Sequence, residues 1–417
     1  MQYSFQVPQH ISTTINLPAS KSISNRALVI HALSHGQHMP ENLSDCDDTE
    51  VIVRALEQMP EVIDIKAAGT AMRFMTAYLS VSEGEHVITG TERMKHRPIK
   101  VLVDALRRLG ADISYEENEG FPPLRIKGSR LEGGFLEIEG NVSSQYISAL
   151  LMIGPMLKQG LELRLTGDIV SRPYIDLTLC TMRDFGAEVD WTDIDMIKVK
   201  PKPYDDHAFF IENDWSAASY WYEICALLND PESTVRLTNL TDGSRQGDSA
   251  IKYMFSLLGV KTSFADHKQG VPTEVSLFYR KSRLPRFDYD FVNQPDLAQT
   301  MTVTCTLLGI PFRFTGLGSL KIKETDRIEA LKKELKKLGY LIHDRNDNEI
   351  YWDGERCTPD ETPVIDTYED HRMAMAFAPA AFLFPNMRIN HPEVVSKSYP
   401  HFWEDLRKAG FTITEHA

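Results

Sequence analysis

The chain has little of what marks several large protein classes. Cysteine is scarce: five residues in 417 (Cys46, Cys180, Cys225, Cys305, Cys357), scattered, with no CxxC pair and no metal-ligand spacing. That excludes a disulfide framework and a zinc site of familiar spacing. Reduced, mostly buried thiols in a cytosolic protein are expected instead. Positive charge is in deficit, with 45 Lys and Arg against 59 Asp and Glu and a net charge of -14. A nucleic-acid binder needs the reverse balance. No apolar run is long enough to cross a bilayer. The start, MQYSFQVPQH, lacks the basic and apolar stretches of a signal peptide. Low-complexity tracts are missing too. What remains is an ordinary soluble composition, at a length that favours two domains with large cores.

Against the acidic background, one string stands out: Lys321-Ile-Lys323-Glu324-Thr325-Asp326-Arg327. The spacing of Ile328, Leu331, Leu335 and Leu338 predicts a helix from about Thr325 to Leu338. Its first turn is the positive end of the helix dipole, where cations are disfavoured. Lys323 and Arg327 there call for an anion, and the free N–H groups of the first turn can bind one. Glu324 among them can move a proton.

The pattern recurs. Lys21, Ser22 and Arg26 open PASKSISNRALVIHAL, with Ser22 and Arg26 on one helical face. Gly69 and Thr70 read as a turn and N-cap before Arg73. Pro98 suits the first position of a helix, which puts Arg97 at its cap. Arg372 opens another apolar helix, and Lys397 precedes the last one. A single charge near a helix end is usually a solvated side chain. Six, each beside Gly, Ser, Thr or Pro, form a set that focuses anions against the overall charge.

A second regularity is a helix that ends in Gly and is followed by a strand: ALRRLGADISY, TMRDFGAEVDW, MFSLLGVKTSF, ELKKLGYLIHD and DLRKAGFTITE. The glycines are Gly110, Gly186, Gly259, Gly339 and Gly410, roughly 70 to 80 residues apart. A degenerate sixth copy falls around Met59. Six units, three per domain, mixing helix with short strands, put the fold in the α/β (α+β) class. The stretch Pro201 to Asp214 is the expected domain junction.

Eleven motifs, in order, then point to one family: LPASKSISNRAL, AAGTAMRF, RPIKVLVDALRRLGA, NVSSQYISALLM, SRPYID, DWSAASYW, QGD, QPDLAQTM, KIKETDRI, DTYEDHRMAMAF and SKSYPHF. The chain resembles the 5-enolpyruvylshikimate-3-phosphate synthases, also called 3-phosphoshikimate 1-carboxyvinyltransferases, over nearly its whole length. The resemblance implies two domains, each of three βαβαββ repeats, with helix N-termini converging on an interdomain cleft that holds the active site. Residues 19–213 would form the N-terminal domain. Residues 1–18 and 214–417 would form the C-terminal one, carrying Asp296, Glu324, Arg327, Arg372 and Lys397.

The family moves the enolpyruvyl group of phosphoenolpyruvate to the 5-hydroxyl of shikimate 3-phosphate, releasing phosphate. Both substrates are anions, which suits fixed cations and bidentate Arg. The resemblance assigns shikimate 3-phosphate to Lys21, Ser22, Arg26, Ser143, Ser144, Gln145, Ser171, Tyr174, Asp296 and Lys323. It assigns phosphoenolpyruvate to Lys21, Gly69, Arg97, Gln145, Arg327, Arg372 and Lys397. Asp296 is the implied base for the hydroxyl, and Glu324 the implied acid for the methylene, with Lys21 assisting. Two opposite effects act on Glu324: water removal favours its protonated form, while Lys323 and Arg327 favour the ionised one. His371 either assists Arg372 or orients it. No cofactor is implied, and neither nucleic acid nor membrane is a partner. A cytoplasmic monomer inhibited by glyphosate is expected.

Three positions depart from the family pattern: Ala67 and Ser319 where Asn is frequent, and Phe74 where Pro is frequent. They weaken polar and shape contacts and leave every ionic group in place. The rival is the UDP-N-acetylglucosamine enolpyruvyl transferase, which shares the fold. It relies on a loop Cys that no cysteine here matches, and it lacks the KETDR and SKSxSNR strings. A non-catalytic phosphate-binding homologue would be expected to lose Asp296 or Glu324, and both are present.

Overall fold

In this computed structural model, which describes residues 1–282 and 284–416, helices alternate with short strands. The helices are α1 (Lys21–Ser34), α2 (Asp47–Gln58), α3 (Gly69–Val81), α4 (Glu92–Lys95), α5 (Lys100–Arg108), α6 (Ser144–Ile153), α7 (Arg172–Asp184), α8 (Trp215–Leu228), α9 (Ile251–Leu257), α10 (Ala298–Leu307), α11 (Arg327–Lys337), α12 (His371–Phe377) and α13 (Phe402–Lys408).

Glycine sets the rhythm of the fold. Gly110, Gly186, Gly259, Gly339 and Gly410, just past α5, α7, α9, α11 and α13, all have φ between 79° and 104°. A side chain there would be strained, and Gly takes the turn without penalty. Where α5, α7, α11 and α13 end, the next residue sends its N–H back into the last helical turn, as Ala111 does to Leu106 O at 3.0 Å. The strand that follows each glycine pairs antiparallel with one partner. For Thr412–His416 that partner is the N-terminal strand Gln2–Gln6.

Among the described residues, five four-stranded sheets result. The copy expected at Met59 is reduced. Met59 does end α2 with a φ of 39°. However, the strand after it, Val62–Asp64, runs parallel to Glu85–Thr89 as the opening strand of the next sheet. A lone Glu41–Phe210 bridge accompanies α1 and α2.

The chain forms two compact units, residues 19–211 and residues 1–18 with 212–417. The second boundary falls two residues ahead of the expected Asn213. Asn213 N–H donates to Asn239 O at 2.8 Å, and Glu212 accepts from Ser244 Oγ at 2.5 Å, which ties both to the larger unit. Each unit has its own apolar core. Leu28, Phe74 and Leu150 lie in the smaller, and Trp215, Phe255 and Phe314 in the larger.

In the smaller unit, Arg26 fixes the relation of four helices. From α1, its Nε donates to Thr178 Oγ1 of α7 at 2.7 Å, and its Nη2 donates to Ser148 Oγ of α6 and Tyr174 O of α7, each at 3.2 Å. Nη1 donates to Ser22 O at 2.7 Å. The guanidinium also lies 5.4 Å from the Phe74 ring centre on α3. Burial lowers its pKa to about 10, so it stays charged at neutral pH. Arg26→Ala is expected to lower the unfolding free energy of this unit by about 3 kcal/mol through lost packing and charged hydrogen bonds. Urea unfolding reads this directly. A loss under about 1 kcal/mol would show that Arg26 does not hold the helices.

Candidate active site

In the smaller unit, helix first turns gather at one end. Ser20 caps α1, accepting from Ile23 N–H at 3.4 Å, so Lys21 and Ser22 start the helix. Ser143 caps α6 by accepting from Gln145 N–H at 3.3 Å, and Ser144 follows. Gln145 Nε2 donates to Thr70 Oγ1 in the first turn of α3 at 3.0 Å, which joins α6 to α3. Ser171 stands at the cap of α7 in a left-handed conformation, with φ 56°. None of α1, α3, α6 and α7 carries an acid in its first turn. Four helix dipoles without local acids make one region suited to anions. Lys21 Nζ meets Asp48 Oδ2 of α2 at 3.2 Å, and Asp48 is buried.

Gly69 acts differently from the turn residue expected. It is the first residue of α3, after the cap Ala68, and has no left-handed backbone. Its value is clearance: a Cβ there would stand 2.5 Å from Arg97 Nη1. Thr70 is likewise helical, so it is no N-cap. Pro98 and Arg97 also sit further from their helix than expected, since α5 starts at Lys100 behind the cap Ile99. Hydrogen bonds from Ile99 N–H to Gly120 O and from Tyr146 Oη to Pro98 O hold that segment off the helix. Arg73 turns inward, donating to Gly69 O at 2.9 Å. Arg26 commits four of its five N–H groups to the protein. The Tyr174 carbonyl is one of its acceptors.

The larger unit holds a denser charge cluster, again at helix first turns. Arg327, 2% exposed at its side chain, binds three carboxylates. Its Nε reaches Asp370 Oδ2 at 2.7 Å and its Nη2 reaches Asp370 Oδ1 at 3.2 Å. Nη2 also reaches Glu324 Oε2 at 3.0 Å, and Nη1 reaches Asp296 Oδ1 at 3.2 Å. Arg372 Nη2 donates to Asp296 Oδ2 at 2.9 Å, and Lys397 Nζ to Glu324 Oε1 at 2.8 Å. Lys323 Nζ lies 3.7 Å from Asp296 Oδ1. Asp370 also caps α12, accepting from Arg372 N–H at 2.9 Å. His371 is buried at the start of α12, with Nδ1 3.8 Å from Asp370 Oδ1.

The charged string is not a helix start. α11 begins at Arg327, and Asp326 caps it by accepting from Glu329 N–H at 3.2 Å. Asp at the cap satisfies an N–H that Thr325 would otherwise have to reach. Lys323, Glu324 and Thr325 therefore precede the helix. Lys321 turns away to Asp347 at 2.6 Å. Lys397 ends the 3₁₀ turn Pro392–Lys397, ahead of α13.

Electrostatics follow from this packing. Burial alone would raise the pKa of Asp296. Arg372, Lys323 and Arg327 outweigh it and hold the carboxyl far below the usual range. Burial alone would lower the pKa of Arg327, but Asp370, Glu324 and Asp296 more than offset that, so it stays charged. Nearby, Asp248 accepts a short hydrogen bond from Ser216 Oγ. Burial first, then Asp296, pushes its pKa up to about 6. Asp48, Asp248 and Asp370 carry no role in the sequence reading. For Asp370 a usable signal was its place beside His371 and Arg372 at a basic helix start, while Asp248 ends the QGD string. The arrangement brings two accessible carboxylates, Asp296 and Glu324, among cations able to bind anions.

Comparison with known proteins bears on this arrangement. The family model described as EPSP synthase (3-phosphoshikimate 1-carboxyvinyltransferase) matches residues 5–64 and 57–406. A 3-phosphoshikimate 1-carboxyvinyltransferase of Bacteroides fragilis (strain ATCC 25285) is 62% identical over 413 residues, covering 99% of both chains. One from Shewanella halifaxensis is 35% identical, covering 95% of this chain and 96% of that one. Among solved structures, an EPSP synthase from Acinetobacter baumannii has a TM-score of 0.79 at 20% identity, over 99% of this chain and 100% of that one. The enolpyruvyl transferase NikO from Streptomyces tendae has a TM-score of 0.72 at 16% identity, over 99% and 98%. Those two likenesses are of fold alone.

Proposed function

The chain belongs to the EPSP synthase family, and from that premise we propose how its residues divide the reaction. The enzyme transfers the enolpyruvyl group of phosphoenolpyruvate to the 5-hydroxyl of shikimate 3-phosphate and releases phosphate, in the shikimate pathway of aromatic amino-acid biosynthesis.

The smaller unit holds shikimate 3-phosphate. Ser143, Ser144 and Ser171 offer hydroxyls and helix N–H groups to the phosphate. Ser22 sits in the first turn of α1 beside Lys21, with Gln145 and Tyr174 alongside. Arg26 acts mainly by holding Ser22 and the Tyr174 segment in place. Lys21, Gln145 and Arg97 also bind phosphoenolpyruvate, with Arg97 resting against Gly69. In the larger unit Arg327, Arg372 and Lys397 bind phosphoenolpyruvate, and Lys323 serves the shikimate phosphate. Monomeric state and a cytoplasmic site of action belong to the same reading.

The observation that carries the chemistry is the pairing in the larger unit. The cations meant for substrate anions are paired there with the implied acid and base. An anionic ligand that draws Arg327 and Lys397 toward itself leaves Glu324 among negative charges, where a carboxyl binds a proton more readily. The proton then goes to the methylene carbon of phosphoenolpyruvate while Asp296 takes one from the 5-hydroxyl. In the second step the methyl group of the tetrahedral intermediate returns a proton to Glu324, the double bond re-forms and phosphate leaves.

Asp296→Asn is expected to lower kcat by at least about 100-fold while the KM for each substrate changes by under about threefold. A kcat within about threefold of the parent would remove Asp296 from the base role.

Glyphosate is proposed to share the phosphoenolpyruvate site. Gly69→Ala displaces Arg97 rather than backbone, since the Cβ meets the end of a flexible side chain. The variant is expected to keep its melting temperature while the phosphoenolpyruvate KM and the glyphosate inhibition constant both rise about tenfold. An unchanged pair of constants would dissociate Arg97 from that site.

A further inference from the structure

Asp370 joins Arg327 to Arg372, through its two-point contact with the first guanidinium and its cap bond to the N–H of the second residue. The segment that delivers Asp370 is strained. Tyr368 and Glu369, just ahead of it, have φ of 53° and 57°. Residues with side chains rarely adopt that left-handed region, and two in succession persist only where the surroundings enforce them. The Asp370 N–H donates to Thr367 O at 2.8 Å and closes the turn around the two left-handed residues.

The enforcing contacts come from Glu334. It lies on α11 two helical turns after Arg327, on the same face. Its side chain is fully buried, and a buried carboxylate needs partners on its oxygens. Oε1 accepts from the Tyr368 hydroxyl at 2.5 Å. Oε2 accepts from the Asp366 N–H at 3.0 Å and from Lys337 Nζ at 2.7 Å. Lys337 Nζ also donates to Val364 O at 2.8 Å and to Asp366 Oδ2 at 2.9 Å. Asn390 Nδ2 holds the other oxygen of Asp366 at 2.7 Å. Helix α11 therefore grips this segment twice, at Arg327 through Asp370 and two turns later through Glu334.

We propose that Glu334 and Tyr368 are positioning residues for phosphoenolpyruvate: their hydrogen bond holds the strained turn that sets Asp370, and Asp370 sets Arg327 and Arg372. The inference rests on the reading that these two arginines bind phosphoenolpyruvate. Without the clamp the turn relaxes in part of the molecules. The apparent affinity for phosphoenolpyruvate then falls with the fraction that keeps the competent form. Shikimate 3-phosphate, assigned chiefly to the smaller unit, is held as before.

The test is the KM for each substrate in Tyr368→Phe, Glu334→Gln and the double variant. Phe keeps the ring and loses only the hydroxyl, while Gln keeps the shape and loses the charge. Each single variant is expected to raise the phosphoenolpyruvate KM about tenfold, with the shikimate 3-phosphate KM within about threefold of the parent. The Tyr368 hydroxyl acts through Glu334, so the double variant is expected within about twofold of Glu334→Gln alone. A merely structural defect lowers the active fraction, and with it kcat, but leaves both KM values in place. A phosphoenolpyruvate KM within about twofold of the parent in Tyr368→Phe overturns the proposal, whether or not Glu334→Gln folds. Equal rises for both substrates, or a double variant raised about a hundredfold, overturn it as well. Arg372→Ala separates the two levels. If it raises the phosphoenolpyruvate KM while the clamp variants do not, the clamp alone loses its role. If it leaves that KM unchanged, Arg372 leaves the phosphoenolpyruvate site and the clamp falls with it.

Discussion

The buried guanidinium of Arg327 is the interaction on which the larger unit's chemistry depends. Removing a full charge from water costs several kcal/mol, and only well-placed counter-charges offset it. Asp370 supplies a two-point contact from one side, while Glu324 and Asp296 each supply one oxygen from others. Asp370 is fixed twice over, by Arg327 and by its cap bond to Arg372 N–H. Its grip on Arg327 is fully buried. Those of Glu324 and Asp296 are more exposed, and we propose these as the ones a ligand exchanges. One cation thereby separates a structural carboxylate from two that are available for chemistry.

The fold explains why such clusters form at all. Each repeat lays a helix across a small sheet, and glycine ends the helix so that the next strand can return. First turns of neighbouring helices come to lie together, as Gln145 of α6 and Thr70 of α3 show in the smaller unit. Free N–H groups and dipoles then accumulate at one end without any residue being specialised for it. Serines in the smaller unit and cations in the larger exploit the same feature for different tasks. In the larger unit the added cations demand carboxylates, and two of those carboxylates are the ones we propose as the acid and the base.

Much of this was legible from residues alone, and the exceptions are instructive. All five glycines with their following strands could be read because a left-handed turn admits few other residues. The basic helix starts stood out against an acidic chain. Gly69 was misplaced in a turn, because sequence shows a glycine's freedom but not that α3 already starts there. The start of α11 was misplaced because Thr325 and Asp326 are both good caps, and only geometry chooses between them. Arg26 and Arg73 looked the same as Arg97 in sequence, yet the first two point into the unit. Asp48, Asp248 and Asp370 escaped notice because an acid reads as a surface residue until its burial is known.

The central claim is that substrate anions free Glu324 by taking its cationic partners, so that it gains the proton it later gives. Calorimetry of phosphoenolpyruvate binding near pH 7.5, in buffers of differing ionisation enthalpy, counts that proton. The parent enzyme is expected to take up on the order of one proton more than Glu324→Gln does. Equal proton counts in the two proteins, with phosphoenolpyruvate bound to both, would contradict the account.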